Sequence, residues 1–204
     1  MQIKKDEIKN KILEVARTEF QEKGFANASM RKIAKKAGIS VSNIYNYFKG
    51  KDEIFKKIVF PTIYLTDQLI NRYLLNEENY KNIEKWTVES SWQQTQLFFT
   101  FLDKHRNNLK LIFFKAQCSE YEDTKDKYID LFTELYLKNL SVLKTYNTKM
   151  NNNVSDWFVH NIISFYVNII NEIIMHDLTK KEMEQYAEEI NTFLYHGWTS
   201  VLNK

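Results

Sequence analysis

Apolar side chains recur every three or four residues along most of the chain, a spacing that places them on one face of an α-helix. The first such stripe lies between Asp6 and Lys23 and consists of Ile8, Ile12, Val15, Ala16 and Phe20. Gly24 follows it, where a helix commonly ends in a left-handed residue. The pattern predicts a first helix over residues 6–23.

Two shorter helices are predicted next. The first runs from about Ser29 to Lys36, and Gly38 then allows a tight corner. Ser40 can cap the second, which continues to about Tyr47. Two short helices joined by a brief corner that contains glycine predict a helix-turn-helix.

A long helix is predicted to begin near Lys51. Pro61 is expected to kink or break it, because proline cannot donate to the carbonyl of Lys57. The periodicity then predicts helices over residues 62–76, 84–103, 106–118, 121–147, 154–176 and 179–202, with the clearest loop at 147–155. The predicted fold is all-α, with a three-helix helix-turn-helix head over residues 1–58 and a larger helical-bundle body over residues 59–204.

Composition supports long helices with few connections, since the 204 residues include only four Gly and one Pro. Charge separates the two predicted domains. Residues 1–58 hold 14 Lys or Arg against 7 Asp or Glu, a net charge of +7, whereas residues 59–204 hold 15 against 19, a net charge of −4. A basic head on a mildly acidic body indicates that the head is the part that meets a polyanion.

Several function classes lack their sequence signatures. Cys118 is a lone cysteine, and the four histidines lie outside any metal-binding motif. The sequence shows no phosphate loop, dinucleotide-binding turn or nucleophile elbow, so we expect no enzyme, no metal and no cofactor. It also shows no signal peptide and no uncharged stretch of about 18 residues. The expected location is therefore the cytoplasm, without a membrane partner.

The second helix of a helix-turn-helix lies in the major groove of double-stranded DNA, where its first residues contact base edges. Ile44 is expected to point inward, which leaves short polar side chains and two tyrosines outward. Tyr47 and Lys51 are expected to hold phosphates. The complete predicted DNA-binding set is Ser29, Arg31, Ser40, Val41, Ser42, Asn43, Tyr45, Asn46, Tyr47 and Lys51.

An ordered set of residues over 24–55 carries a family resemblance. In chain order it reads Gly24-Phe25, Met30-Arg31-Lys32-Ile33-Ala34, Ala37-Gly38-Ile39-Ser40, Ile44-Tyr45, Tyr47-Phe48, Lys51 and Ile54-Phe55. This segment resembles the DNA-binding domain of the TetR/AcrR regulators. The chain departs from that family at Ala28, where Thr is usual, and at Ser42, where Gly is frequent. The resemblance implies a ligand-responsive repressor that binds a palindromic operator as a homodimer.

In this family the last two helices form the dimer interface, and the sequence agrees with that arrangement. Residues 154–176 are apolar on two faces, as expected of a helix buried against its own body and against a partner. The predicted dimer interface consists of Phe158, Ile162, Phe165, Ile169, Ile173, Tyr186, Ile190, Phe193, Leu194, Gly197, Trp198 and Val201.

The resemblance also implies an inducer site among the middle helices, where aromatic residues are plentiful. A small apolar or aromatic ligand is expected there. Its predicted contacts are Trp92, Gln96, Phe99, Phe113, Gln117, Cys118, Tyr121 and Tyr166. Two alternatives stay open at this stage. One is an architectural or cell-division DNA-binding factor without an inducer, which a closed body would favour. The other is a helical small-molecule-binding protein whose head does not bind DNA, against which the basic head argues.

Overall fold

The computed structural model describes residues 2–74, 87–146, 151, 154–176 and 178–203. Within these ranges the secondary structure is helical, and no strand is present. The helices are α1 (Gln2–Asn27), α2 (Met30–Ala37), α3 (Val41–Ile44), α4 (Lys51–Leu74), α5 (Val88–Phe114), α6 (Thr124–Tyr146), α7 (Asp156–Met175) and α8 (Lys180–Leu202). The prediction of an all-α fold with a helix-turn-helix head and a helical body is confirmed.

Gly24 interrupts the helical geometry of α1, as its position predicted. Its φ of 71° and ψ of 166° lie outside the left-handed helical region that we expected, in a region that glycine alone adopts readily. The backbone change allows the N–H of Phe25 to donate to the carbonyl of Lys115 at 2.7 Å. A side chain at residue 24 would therefore be strained, which explains why glycine is needed there.

The helix-turn-helix corner forms as the sequence predicted. Gly38 adopts the left-handed conformation (φ 75°, ψ 28°), and its N–H donates to the carbonyl of Lys35 at 3.2 Å. Ser40 caps α3, which spans only Val41–Ile44 and is shorter than the predicted helix to Tyr47. The remaining residues form turns, because the N–H of Tyr47 and that of Phe48 both donate to the carbonyl of Ile44.

Two predicted helix breaks are absent. α4 continues through Pro61 to Leu74, so of the kink or break expected at the proline the break is wrong, and the kink stays a prediction. Helices predicted separately at 84–103 and 106–118 form one helix, α5, from Val88 to Phe114; residues 84–86 lie outside the described residues. Residues 147–150 and 152–153 of the predicted loop also lie outside them. Thr179 and Glu182 form a capping box at the start of α8.

The chain divides into two compact units. Unit 1 contains Met1–Leu65 and Asn107–Thr124, so it is larger than the predicted head of residues 1–58. Its core is aromatic, since the ring of Phe55 lies 5.1 Å from the rings of both Phe20 and Phe25. The division into a DNA-binding domain over 1–58 and a sensing domain over 59–204 stays a functional prediction.

Unit 2 contains Thr66–Arg106 and Lys125–Lys204. One of its buried clusters consists of Leu143, Val159, Ile163, Trp198 and Leu202. α7 is the one helix among the described residues that is long and apolar enough to cross a bilayer. A soluble core helix passes the same test, and Val159 and Ile163 are fully buried within the unit. We therefore interpret α7 as a core helix.

Candidate nucleic-acid interface and ligand cavity

The start of α3 presents a compact polar surface. The hydroxyl oxygen of Ser40 accepts from the backbone N–H of Asn43 at 3.1 Å and lies 2.9 Å from the hydroxyl of Ser42. Asn46 Nδ2 donates to Asn43 Oδ1 at 3.0 Å. Because these short side chains hold one another in place, their outward donors and acceptors are ordered before any partner arrives.

Two tyrosines and a valine flank this polar surface. Tyr45 is 53% exposed, whereas Tyr47 and Val41 are half-buried. Ile44 is fully buried beneath them, as predicted. Tyr45 is therefore open to a partner over about half of its surface, whereas Tyr47 is partly used in packing.

Lys51, the first residue of α4, already has partners within unit 1. Its Nζ donates to the carbonyl of Ala26 at 3.1 Å and lies 4.4 Å from the centroid of the Phe25 ring, a cation–π arrangement. These contacts join the start of α4 to the end of α1. The predicted phosphate contact of Lys51 stays a prediction. It would use an N–H of the ammonium group that does not donate to Ala26.

α2 is fixed to α1 through a buried carboxylate. Glu19 is 1% exposed, and Lys36 Nζ lies 3.5 Å from its Oε2. The backbone N–H of Ser29 donates to Glu19 Oε1 at 3.4 Å, while the Ser29 hydroxyl accepts from the N–H of Lys32 at 3.5 Å. Arg31 is exposed on the same helix. Lys36 is thus neutralised within the head, and Arg31 remains on its surface.

A cavity of about 280 Å³ lies inside unit 2. Its described lining residues come from α4 to α7 and are Thr66, Leu69, Ile70, Gln94, Thr95, Phe98, Phe101, Phe132, Tyr136, Ile163, Tyr166, Val167 and Ile170. Among them no side chain carries a charge. Such a mainly apolar cavity with a few polar groups is typical of a small-molecule site.

A hydrogen bond joins this cavity to a buried tryptophan. Trp198 Nε1 donates to the hydroxyl oxygen of Tyr166 at 2.8 Å, and the ring of Tyr136 stacks on Trp198 with centroids 6.0 Å apart. Burial raises the pKa of Tyr166 well above its ordinary value of 10.0 and also raises the pKa of Tyr136. Both phenols therefore keep their protons throughout the physiological range.

A second, larger depression of about 740 Å³ lies between α5 and α8. Its lining includes Trp92, Gln96 and Phe99, and it also includes charges of both signs, among them Asp103 and Lys180. It is therefore more polar than the smaller cavity. Among the described residues, no group of three or more His, Cys, Asp or Glu side chains could hold a metal ion.

α7 and α8 expose an aromatic face. Phe158, Phe165 and Phe193 are 37%, 41% and 63% exposed, and the rings of Phe165 and Phe193 lie 6.3 Å apart. A Cβ added to Gly197 would find no atom within 4 Å. The other residues predicted for this interface are half-buried (Ile162, Tyr186, Ile190, Leu194 and Val201) or buried in the core of unit 2 (Ile169, Ile173 and Trp198).

Residues 12–58 match the family model described as bacterial regulatory proteins, tetR family. This segment is similar to the DNA-binding domain of the TetR family. The uncharacterized HTH-type transcriptional regulator YdgC of Bacillus subtilis (strain 168) is 30% identical over 118 residues, 56% of this chain and 57% of YdgC. The probable HTH-type transcriptional regulator YttP of the same strain is 45% identical over 51 residues, 25% of each chain. The chain therefore spans about half the length of YdgC and a quarter of YttP.

Several solved structures share the fold of this chain. NalD of Pseudomonas aeruginosa, the secondary repressor of the MexAB-OprM multidrug efflux pump, has a TM-score of 0.63 at 16% identity, covering 98% of this chain and 97% of NalD. A TetR family transcriptional regulator from Chloroflexus aurantiacus J-10-FL has a TM-score of 0.65 at 12% identity, covering 94% and 93%. Identities this low show a common fold and nothing finer.

The eight predicted ligand contacts do not share one cavity. Tyr166 lines the smaller cavity of unit 2, and Trp92, Gln96 and Phe99 line the larger depression. The remaining four, Phe113, Gln117, Cys118 and Tyr121, belong to unit 1. The ring of Tyr121 lies 6.1 Å from that of Phe55, which gives it a packing contact in the core of that unit.

The sequence prediction missed Tyr136, which lines the smaller cavity together with Phe132. A signal for both was present. Tyr128, Phe132 and Tyr136 follow one another at intervals of four residues, so they lie on one face of α6. Two of these three aromatic residues, Phe132 and Tyr136, line the cavity, so the stripe within a predicted middle helix is a sequence signal for part of the lining.

Proposed function

We propose that this chain is a cytoplasmic transcriptional regulator that binds a palindromic DNA operator as a homodimer and responds to a small ligand. The observation that carries the proposal is the polar, Ser40-capped surface of α3 within the segment that matches the TetR family model. The basic head supplies the attraction to phosphates. Repression is the proposed direction, because the structurally similar NalD is a repressor.

Base reading is assigned to Ser42, Asn43, Tyr45 and Asn46. Their side chains combine donors, acceptors and an exposed ring, which is the chemistry that distinguishes base edges in the major groove. Arg31 is assigned to phosphate binding, because it is exposed on α2 and outside the Glu19 contacts. Residues of the first kind should determine sequence preference, and residues of the second kind should determine affinity and salt dependence.

The test is a genomic-fragment binding selection with the purified full chain, repeated over a range of salt concentrations. An enriched palindrome supports the proposal. Arg31→Ala should lower the slope of log affinity against log salt by about 1.8, because each of the two protomers loses one phosphate contact, without changing the enriched sequence. Lys144→Ala, which removes an exposed charge from α6, is the matched control and should leave the slope unchanged. Fragments recovered without a common sequence would overturn operator recognition.

The homodimer is assigned to the aromatic face of α7 and α8. Phe193→Glu places a charge at the most exposed of its three phenylalanines and should shift the protein from dimer to monomer in sedimentation velocity. Leu131→Glu, at an exposed leucine of α6, is the matched control and should leave the dimer intact. A Phe193→Glu protein that stays dimeric would exclude this face as the interface.

Ligand response is assigned to the 280 Å³ cavity of unit 2. An architectural DNA-binding factor without an inducer would be expected to have a closed body, so the cavity does not favour that alternative. The intact helix-turn-helix geometry argues in the same way against a ligand carrier whose head does not bind DNA. We also expect no enzymatic activity, since the family consists of regulators.

A further inference from the structure

Two phenol hydroxyls are the donors that the small cavity of unit 2 offers to a ligand. Its other polar lining residues are Thr66, Gln94 and Thr95. The Thr95 hydroxyl donates to Asn191 Oδ1 at 3.0 Å, and Thr66 hydrogen-bonds Tyr128. Gln94 is largely exposed to solvent. The hydroxyls of Tyr136 and Tyr166 therefore remain for a bound molecule.

Tyr166 is held as a donor by the tryptophan behind it. Its oxygen accepts the hydrogen bond from Trp198 Nε1, so its own proton is left for another acceptor. Among the described residues, neither this proton nor that of Tyr136 has an acceptor. A hydroxyl that already accepts a hydrogen bond is polarised and becomes a better donor. The hydroxyls of Tyr136 and Tyr166 can therefore both donate to an acceptor atom of a molecule bound in the cavity.

The described lining of the cavity carries no charged side chain, which disfavours the binding of an ion. His105 stacks on the lining residue Phe101 with centroids 4.7 Å apart, but burial lowers its pKa, and the charge of Lys104 lowers it further. A carboxylate in this cavity would lose its hydration and gain no cation in return.

The volume of the cavity indicates how large a group it can accommodate. Its volume of about 280 Å³ is close to twice the roughly 150 Å³ of an apolar cavity that holds benzene. Phe98, Phe101 and Phe132 supply ring faces and edges around it. Two fused rings with one small substituent match this space.

We propose that the cavity binds a neutral bicyclic aromatic molecule that carries one hydrogen-bond acceptor, and that Tyr166 donates to that acceptor. The inference rests on the proposed ligand response, since it names the class of ligand that the same site takes. Tyr136 is the second donor to the acceptor. Trp198 is a positioning residue, which orients the Tyr166 hydroxyl without touching the ligand.

Three probes of equal non-hydrogen atom count test the proposal by equilibrium dialysis against the full chain. 2-Acetylnaphthalene offers a neutral carbonyl acceptor, 2-isopropylnaphthalene offers none, and 2-naphthoate offers a charged one. The ketone should bind about two- to tenfold more tightly than the hydrocarbon, the value of a neutral hydrogen bond. The carboxylate should bind at least about a hundredfold more weakly than the ketone.

Tyr166→Phe removes the hydroxyl and keeps the ring. It should weaken binding of the ketone about two- to tenfold and leave the affinity for the hydrocarbon unchanged, which also shows that the cavity is still folded. Tyr121→Phe is the matched control, since Tyr121 is a half-buried phenol of unit 1 and lies outside the lining. It should change neither affinity.

Three results would overturn the inference: naphthoate that binds as tightly as the ketone, equal losses of ketone and hydrocarbon in Tyr166→Phe, or no binding of any probe up to its solubility. Each of these leaves operator binding untouched. Failure of the genomic selection would instead remove the regulatory function while the probe affinities stand. The two failures are therefore distinguishable.

Discussion

The side chain of Asn108 forms two hydrogen bonds within unit 1, which together we call the polar joint. Replacing Asn108 is predicted to lower the stability of the protein. Asn108 Nδ2 donates to the hydroxyl oxygen of Thr62 at 2.8 Å, and its Oδ1 accepts from Arg17 Nη1. Thr62 is 1% exposed, and burial lowers the pKa of the Arg17 guanidinium. Because both groups are shielded from water, Asn108 supplies part of their hydrogen bonding. The joint connects α1, α4 and α5.

The magnitude follows from these two bonds. The bond to Thr62 is between neutral groups and contributes about 1 kcal/mol. The bond to Arg17 involves a charge and contributes about 1.5–3 kcal/mol, of which we take the lower half because Arg17 is only partly buried. Asn108→Ala should therefore lower the free energy of unfolding by about 2.5–3 kcal/mol.

Equilibrium urea unfolding, followed by circular dichroism at one fixed protein concentration, measures this loss. Asn107→Ala is the matched control, because Asn107 is an exposed residue of the same helix and gains the same helix propensity on replacement. It should change stability by no more than about 0.5 kcal/mol. If the two variants unfold within 0.5 kcal/mol of each other, the joint makes no net contribution and the reasoning is refuted.

Three further predictions concern single sites. Ser40→Ala removes the acceptor for the N–H of Asn43, so it should cost about 1 kcal/mol in urea unfolding; an unchanged midpoint would contradict the cap. Pro61→Ala supplies a backbone N–H that can donate to the carbonyl of Lys57 within the continuous helix α4. The free energy of unfolding, measured by thermal unfolding, should therefore rise by up to about 3 kcal/mol rather than fall. Burial raises the pKa of Tyr166 above 10.0, so the folded state keeps its proton when the unfolded state loses it. Stability should be level below about pH 10 and fall above it, and in alkaline denaturation Tyr166→Phe should fall less steeply than the parent.

The local signals of the head were readable because they are short-range. Ser29 and Ser40 cap helices and Gly38 turns the corner through contacts with residues at most five positions away. Such patterns depend on the identity of a few neighbours and hardly on the rest of the chain. Ile44 was also assigned correctly, since one buried position in a single helical turn leaves few alternatives.

The continuity of α4 and α5 could not be read in the same way. The missing bond at Pro61 is a local cost, but Ile58, Val59 and Thr62 are buried on the same helix, and their packing outweighs it. The sequence pattern predicts a helix boundary between residues 103 and 106. Instead the Arg106 guanidinium donates to the carbonyl of Ile173 at 2.9 Å, a contact between residues 67 positions apart. Only the tertiary structure supplies this partner.

α7 shows where sequence periodicity stops being informative. The pattern identifies two apolar faces but cannot say which one meets the body. The structure buries Val159 and Ile163 and leaves Phe158 and Phe165 about two-fifths exposed. Burial of apolar surface is favourable by about 25 cal/mol per Å². Covering the exposed aromatic face of α7 with a second molecule would therefore be favourable. Open space at Gly197 on the neighbouring helix would let a second helix approach closely, so the sequence's second apolar face is better explained by a partner chain than by the protomer's own core.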